Sequence, residues 1–193
     1  FNLGPKLLSD PLHCAKYLPE LTIDPKLQAC IDLYLIWGGL PLVYLQSDLD
    51  QKLREIKKIV ERGFEPMLQG AEHYSDTIRV ELAHLHSTEF AYQGIFQKTG
   101  IRRRDNINQI IDDLVNHGYL VAKKPYILSQ DRRSYLVTYS YVDPGIVSFL
   151  SSDTQGEKNR GPRVEGYIHS RLTALLGRNP KKSKLWYYKP YSI

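Results

Sequence analysis

Seven side chains could read a nucleic acid. Arg102, Arg103, Arg104, Asn106 and Gln109 cluster around the start of one helical stretch, and Arg132 and Arg133 sit in a polar turn further along. Guanidinium groups and free backbone N–H groups at a helix start suit phosphate, and a basic turn tip suits a groove or a backbone. Asp105, Asp112 and Asp113 lie on the same stretch and repel phosphate. Between Lys98 and Arg133 eight basic residues face four acidic ones, a modest net +4. Two uses stay open, a nucleic-acid surface and a rigid protein-contact module. Arg104 also has a local alternative, a bridge to Asp105 or a nearby acid that offsets its unfavourable place at a helix start.

Glu165 is a lone carboxylate on the last predicted helix. It is either a solvated helix residue without a partner or one member of a metal-dependent nuclease site. The second needs two or three converging carboxylates and often a lysine, and these companions do not occur before the sequence ends. No metal site and no catalysis by these residues alone are expected. No G-x-x-x-x-G-K-[ST] loop, G-x-S-x-G, H-E-x-x-H or EF-hand spacing occurs, so the chain cannot hydrolyse a nucleoside triphosphate by itself. His84 and His86 are too close to share a helix face and read as surface residues. Cys14 and Cys30 fall on separate predicted helices without ligand spacing, which predicts buried free thiols in a reducing cytoplasm.

The third feature is Ile36-Trp37-Gly38-Gly39-Leu40-Pro41-Leu42. A helical pattern reaches Trp37, two glycines break it, and Pro41 restarts a helix at its first position. It is either a plain corner between two helices or a corner that faces a nucleotide.

These residues need elements to hold them. Asp10-Pro11 opens a short helix to about Leu18. Asp24-Pro25 opens a longer one over about 25–37, with Leu27, Cys30, Ile31, Tyr34 and Leu35 on a buried stripe. Leu42–Gln46 is a short turn of helix. Ser47-Asp48 caps a helix from Leu49 to about Arg62 with Leu53, Ile56, Ile59 and Val60 inward, and Glu65-Pro66 continues or kinks it. Three more helices follow, over Ser75–Leu85, Thr88–Lys98 (capped by Thr88) and Arg104–His117. Ile107, Ile110, Ile111, Leu114 and Val115 form one face of the last, and Gly118 ends it. Strand-like runs Tyr119–Ala122 and Ser134–Val142 come next. Three helices and a hairpin predict a winged helix-turn-helix. Asp143-Pro144-Gly145 is a turn, Ile146–Leu150 a short helix, and Ser151–Arg160 a mobile loop. The helix from Pro162 to about Leu176 turns Val164, Ile168, Leu172 and Leu175 inward. Leu185–Tyr188 is a strand.

The chain of 193 residues is 42% hydrophobic and 24% charged, enough for one or two small domains. No run of about 18 apolar residues occurs, so no transmembrane helix is expected. The formal charge is +5, yet from Glu157 onward nine Lys/Arg stand against two Asp/Glu. The basic character belongs to that C-terminal segment. The start at Phe1 and the end at Tyr187–Ile193 read as cuts within a longer protein.

Four stretches carry a family resemblance: Tyr34–Leu42 with its GG-x-P corner, Phe90–Gly118, Tyr141–Leu150 with its DPG junction, and Gly161–Leu176 with Trp186-Tyr187-Tyr188. In that order they resemble the region after the ATPase core of prokaryotic AAA+/STAND-like ATPases, where a helical lid precedes a winged helix and a PD-(D/E)XK nuclease-like domain. The resemblance implies a mainly α fold with small β. It implies a lid over 1–73, a winged helix over 74–143 and the start of the nuclease-like domain over 144–193. It implies that Gly38, Gly39 and Pro41 border ATP or ADP held mainly by an N-terminal ATPase core, with DNA or a protein as further partner. Glu165 matches a glutamate on the first nuclease-like helix, and the following E-V-D strand would begin past Ile193. The rival expectation is a stand-alone winged-helix DNA-binding regulator.

Overall fold

The computed structural model describes residues 24–64, 72–88, 90, 92–101, 103–123, 137–153 and 160–177. They are mostly helical with a small antiparallel sheet, the mainly α, small-β class expected. The expected elements at Asp10–Leu18, Glu65–Leu68 and Leu185–Tyr188 lie outside these residues, as do Cys14, Arg102, Arg132 and Arg133.

The chain divides into two compact units, Phe1–Asp32 and Leu33–Ile193. The first is described only from Asp24, at the start of α1 (Pro25–Trp37). Asp24 Oδ1 accepts the Lys26 N–H at 2.8 Å, and Pro25 follows it where no N–H is needed. The expected buried stripe holds only at its end, where Leu35 is buried and Tyr34 half-buried. Leu27, Cys30 and Ile31 are exposed, and Cys30 is a free surface thiol. A 3.6-residue period shows that a helix has an apolar face, not that a partner covers its whole length.

The second unit holds the rest. Its elements are α2 (Pro41–Tyr44), α3 (Leu49–Phe64), α4 (Glu72–His84), α5 (Tyr92–Thr99), α6 (Arg104–Asn116), β1 (Leu120–Lys123), β2 (Thr138–Tyr141), α7 (Pro144–Ser151) and α8 (Arg160–Gly177). Asp48 caps α3 by accepting the Gln51 N–H at 3.2 Å. Ile107, Ile110, Ile111 and Leu114 of α6 are buried as their spacing predicts. The end of α6 closes with Gly118 N–H on the Val115 carbonyl and Tyr119 N–H on the Leu114 carbonyl. The chain then enters β1, which pairs antiparallel with β2 in the register Leu120↔Tyr141 to Lys123↔Thr138. Helices α4, α5 and α6 followed by this pair reproduce the expected order of three helices and a hairpin.

Two departures matter. Thr88 does not cap α5. Its hydroxyl donates to the Leu85 carbonyl, and α5 begins at Tyr92. Ser87 and Phe90 bond to the chain of β2 instead, the Ser87 N–H on the Tyr139 carbonyl at 3.0 Å and the Phe90 N–H on that of Val137 at 3.3 Å. Those bonds satisfy an edge that the two-stranded sheet would otherwise leave open. The second departure is α7. Asp143-Pro144-Gly145 is its N-terminus rather than a free turn, with Asp143 as N-cap. Residues 144–148 are buried on every side, and α7 packs against α3, α4, β2 and α8. Its hydroxyls are satisfied locally, Ser148 on the Pro144 carbonyl and Ser151 on that of Val147. Val43, Ile56, Val60, Ile78, Leu82, Ile111, Ile146 and Val147 belong to one continuous core.

The polarity of α8 departs from expectation at two of its four apolar positions, with Val164 half-buried and the Leu175 side chain outside the described ones. Ile168 and Leu172 are exposed, whereas Arg163, Gly166 and His169 face inward. The buried surface that Arg163, Gly166 and His169 meet is polar, so polar residues dock here while Ile168 and Leu172 stay outside. Ile56→Ala should therefore lower unfolding stability by about 2–5 kcal/mol, whereas Ile168→Ser should stay within about 0.5 kcal/mol. Urea unfolding of both variants checks the pair, and a large loss in Ile168→Ser would contradict the orientation of α8.

Candidate functional site

The glycine corner is a junction of three helices. Gly38 adopts φ +74°, a left-handed conformation that ends α1, and its N–H bonds to the Tyr34 carbonyl at 2.8 Å. Gly38 is buried against Asp143, and a Cβ there would overlap the Asp143 carboxylate. Asp143 Oδ2 accepts the Gly39 N–H at 2.8 Å, and Oδ1 accepts the Gly145 N–H at 2.8 Å. One carboxylate therefore caps α7 and holds the end of α1. Gly145 has no room for a Cβ because the Trp37 carbonyl lies against it. Burial raises the Asp143 pKa, and bonds from the Gly39, Gly145 and Ile146 N–H groups, with the more distant charge of Arg171, pull it back only in part.

A second clamp closes the other end of α7. Arg163 is fully buried. Its Nη1 donates to the Leu35 carbonyl at 3.3 Å, and its Nη2 to the Asp153 carbonyl and Oδ2 at 3.0 and 3.1 Å. Charge-assisted bonds of this kind justify burying a guanidinium, and loss of either partner would strand the other charge. Asp143 and Arg163 thus hold the last turn of α1 at both ends of α7.

The open side of the corner is elsewhere. Gly39 and Pro41 are exposed, while Gly38 is closed off. Tyr34 packs beneath Gly39, where a Cβ would stand 2.7 Å from its Cε2. Tyr34 also meets the Tyr167 ring edge-on at 4.9 Å.

On α6, Arg103, Arg104, Asn106 and Gln109 are all exposed, and so are Asp105 and Asp112. Arg103 is the residue before the helix and makes no side-chain cap bond. Arg104 stacks over the Tyr92 ring at 4.9 Å, and among the described residues it pairs with no carboxylate. The expected bridge to Asp105 is replaced by a cation–π contact. Tyr92 is held in place by its hydroxyl, which donates to Asn108.

Glu165 has a partner after all. Its Oε1 lies 2.8 Å from Nζ of Lys123, a β1 lysine that is 1% exposed. Lys123 Nζ also donates to Ser87 Oγ at 3.0 Å, and Ser87 Oγ lies 2.7 Å from Ser140 Oγ. Among the described residues no group of three His, Cys, Asp or Glu side chains could hold a metal. Glu165 serves to neutralise a buried ammonium group, and sequence spacing could not reveal a partner 42 residues away.

His86 is not a surface residue. It is 2% exposed, its Nδ1 accepts the Tyr141 N–H at 3.2 Å, and Gly166 of α8 lies against its Nε2. The Nε2 atoms of His86 and His169 are buried without a hydrogen-bond partner. Burial first, then the charges of Lys123 and Arg163, push the His86 pKa down to about 3. Burial, and then Lys123, push that of His169 down to about 4, opposed by Glu165. His84 is exposed.

Both histidines bind protons more weakly folded than unfolded. Their contribution to stability is complete above the ordinary value of 6.5 and is lost as pH falls toward 4 and 3. Stability should fall over that window, and the difference between wild type and His86→Gln/His169→Gln should shrink with it. Urea melts from pH 7 to 4 check this, and parallel curves would contradict it.

Compared with protein-family models, with curated proteins and with solved structures, the chain matches none.

Proposed function

We propose that this chain is the regulatory part of a AAA+/STAND-like ATPase, in which nucleotide state is coupled to a winged-helix surface that contacts DNA or a protein. ATP or ADP would be held mainly by an N-terminal ATPase core and bordered here by Gly39 and Pro41, with Gly38 behind them. These residues would hydrolyse nothing by themselves, and the setting would be the cytoplasm.

The observation that carries this reading is the pair of hydrogen bonds that the Asp143 carboxylate accepts, from the Gly39 N–H at the corner and from the Gly145 N–H at the start of α7. The residues of the GG-x-P corner and of the DPG junction touch, although they lie 104 positions apart. Helix α7 in turn shares a core with α4 and β2, so a shift at the corner meets a rigid path rather than a flexible tether. A nucleotide that makes better contacts with one corner arrangement than another would then bias the position of α6. The stand-alone DNA-binding reading is favoured by the exposed Arg103, Arg104, Asn106 and Gln109, and opposed by Asp105 and Asp112 beside them.

Amide exchange of the full-length protein with and without ADP tests the coupling. Segments 38–46 and 143–150 should both slow with ADP, and Asp143→Ala should leave the first response while removing the second. No response in either segment would overturn the reading, and salt-dependent DNA binding without it would support the stand-alone regulator.

A further inference from the structure

The open side of the glycine corner carries an exposed arginine, whose positive charge reaches the Asp143 carboxylate only through space and not as an ion pair. Arg171 of α8 is exposed, and among the described residues no carboxylate forms an ion pair with it. Two tyrosines hold it instead. Its Nη2 donates to the Tyr34 hydroxyl at 3.3 Å, and its guanidinium lies over the Tyr167 ring, 5.3 Å from the centroid. Tyr34 is the residue packed beneath Gly39, and Tyr167 meets Tyr34 edge-on at 4.9 Å. Gly39, Tyr34, Tyr167 and Arg171 therefore form one contiguous rim. Gly39 and Pro41 remain exposed beside it, while Asp143 closes the opposite side at Gly38.

We propose that Arg171 is an anion-binding residue of this corner and takes the phosphate end of the nucleoside diphosphate or triphosphate that lies against Gly39 and Pro41. The inference rests on the nucleotide-coupled reading above. A guanidinium has five N–H donors in a planar fork, and the Tyr34 hydroxyl is a neutral acceptor at the long end of hydrogen-bond range. A phosphate offers two charged oxygens to the same fork, a stronger and bidentate partner. Exchange of Tyr34 for phosphate is therefore favoured, and the Tyr167 ring keeps the guanidinium oriented during it. Because Arg171 sits on α8, this exchange would join α8 to the nucleotide state as well.

Titration of the full-length protein with ADP, at two salt concentrations and with inorganic phosphate as competitor, tests the assignment. Arg171→Gln should weaken ADP binding about 10-fold, Arg171→Lys should restore part of the loss, and the salt dependence should be smaller in Arg171→Gln. Arg171 is exposed, so unchanged melting temperatures in both variants would show that the loss is not one of folding. Equal ADP affinity in wild type and Arg171→Gln, with the corner still responding to ADP, would overturn the role of Arg171 and leave the nucleotide corner standing. Inorganic phosphate binding as tightly as ADP would overturn a nucleotide ligand. Absence of ADP binding by the wild type would remove both this assignment and the reading it rests on.

Discussion

In a helix that continued past Trp37, the N–H of Gly39 would donate to the carbonyl of Leu35. Here the two groups part. The N–H turns to Asp143 and the carbonyl turns to Arg163. Every helix end leaves such groups to be satisfied, and most are met by water or by a nearby cap. At this end they are met by two charged side chains from the far part of the chain, each anchored at one end of α7. The corner is thereby tied to α7, whose first five residues are all buried. Breaking either contact leaves a buried charge with one partner fewer, and an under-satisfied group in a dry site is costly.

The same logic governs α8. Its inward face is Arg163, Gly166 and His169, and it meets His86, Ser87 and Lys123. An apolar face would be the worse choice against a buried ammonium and a buried imidazole. Gly166 lets the helix come close, Arg163 clamps α1 to α7, and Glu165 supplies the charge that Lys123 needs. Neither histidine can charge in that surrounding without cost, because Lys123 is already positive and the site is dry.

Local order was legible in the sequence, and long-range pairing was not. The spacing of Ile107, Ile110, Ile111 and Leu114, with Gly118 after them, is sufficient to draw α6 and its end, because both signals lie within two turns. The hairpin follows from the change of period after Tyr119. Asp143 was legible as the start of a turn, but its bond to Gly39 depends on how α7 packs. Arg163 carried no sequence signal at all, since an arginine between Pro162 and Val164 reads as surface. Ile168 and Leu172 were expected inward and lie outward for a related reason. Periodicity locates an apolar face, and the partner surface decides which face is buried. Glu165 and His86 were misread because their partners lie on other elements.

The central claim is that Asp143 holds the Gly39 N–H in place of the missing helical bond. Gly39 is exposed, so without that bond its amide should exchange as fast as a free loop residue. Residue-resolved amide exchange of Gly39 in wild type and in Asp143→Ala measures it directly. The wild-type amide should be protected, and Asp143→Ala should exchange on the order of 10- to 100-fold faster, the loss expected for a bond to a charged acceptor. A wild-type Gly39 amide that exchanges at the free rate would contradict the account.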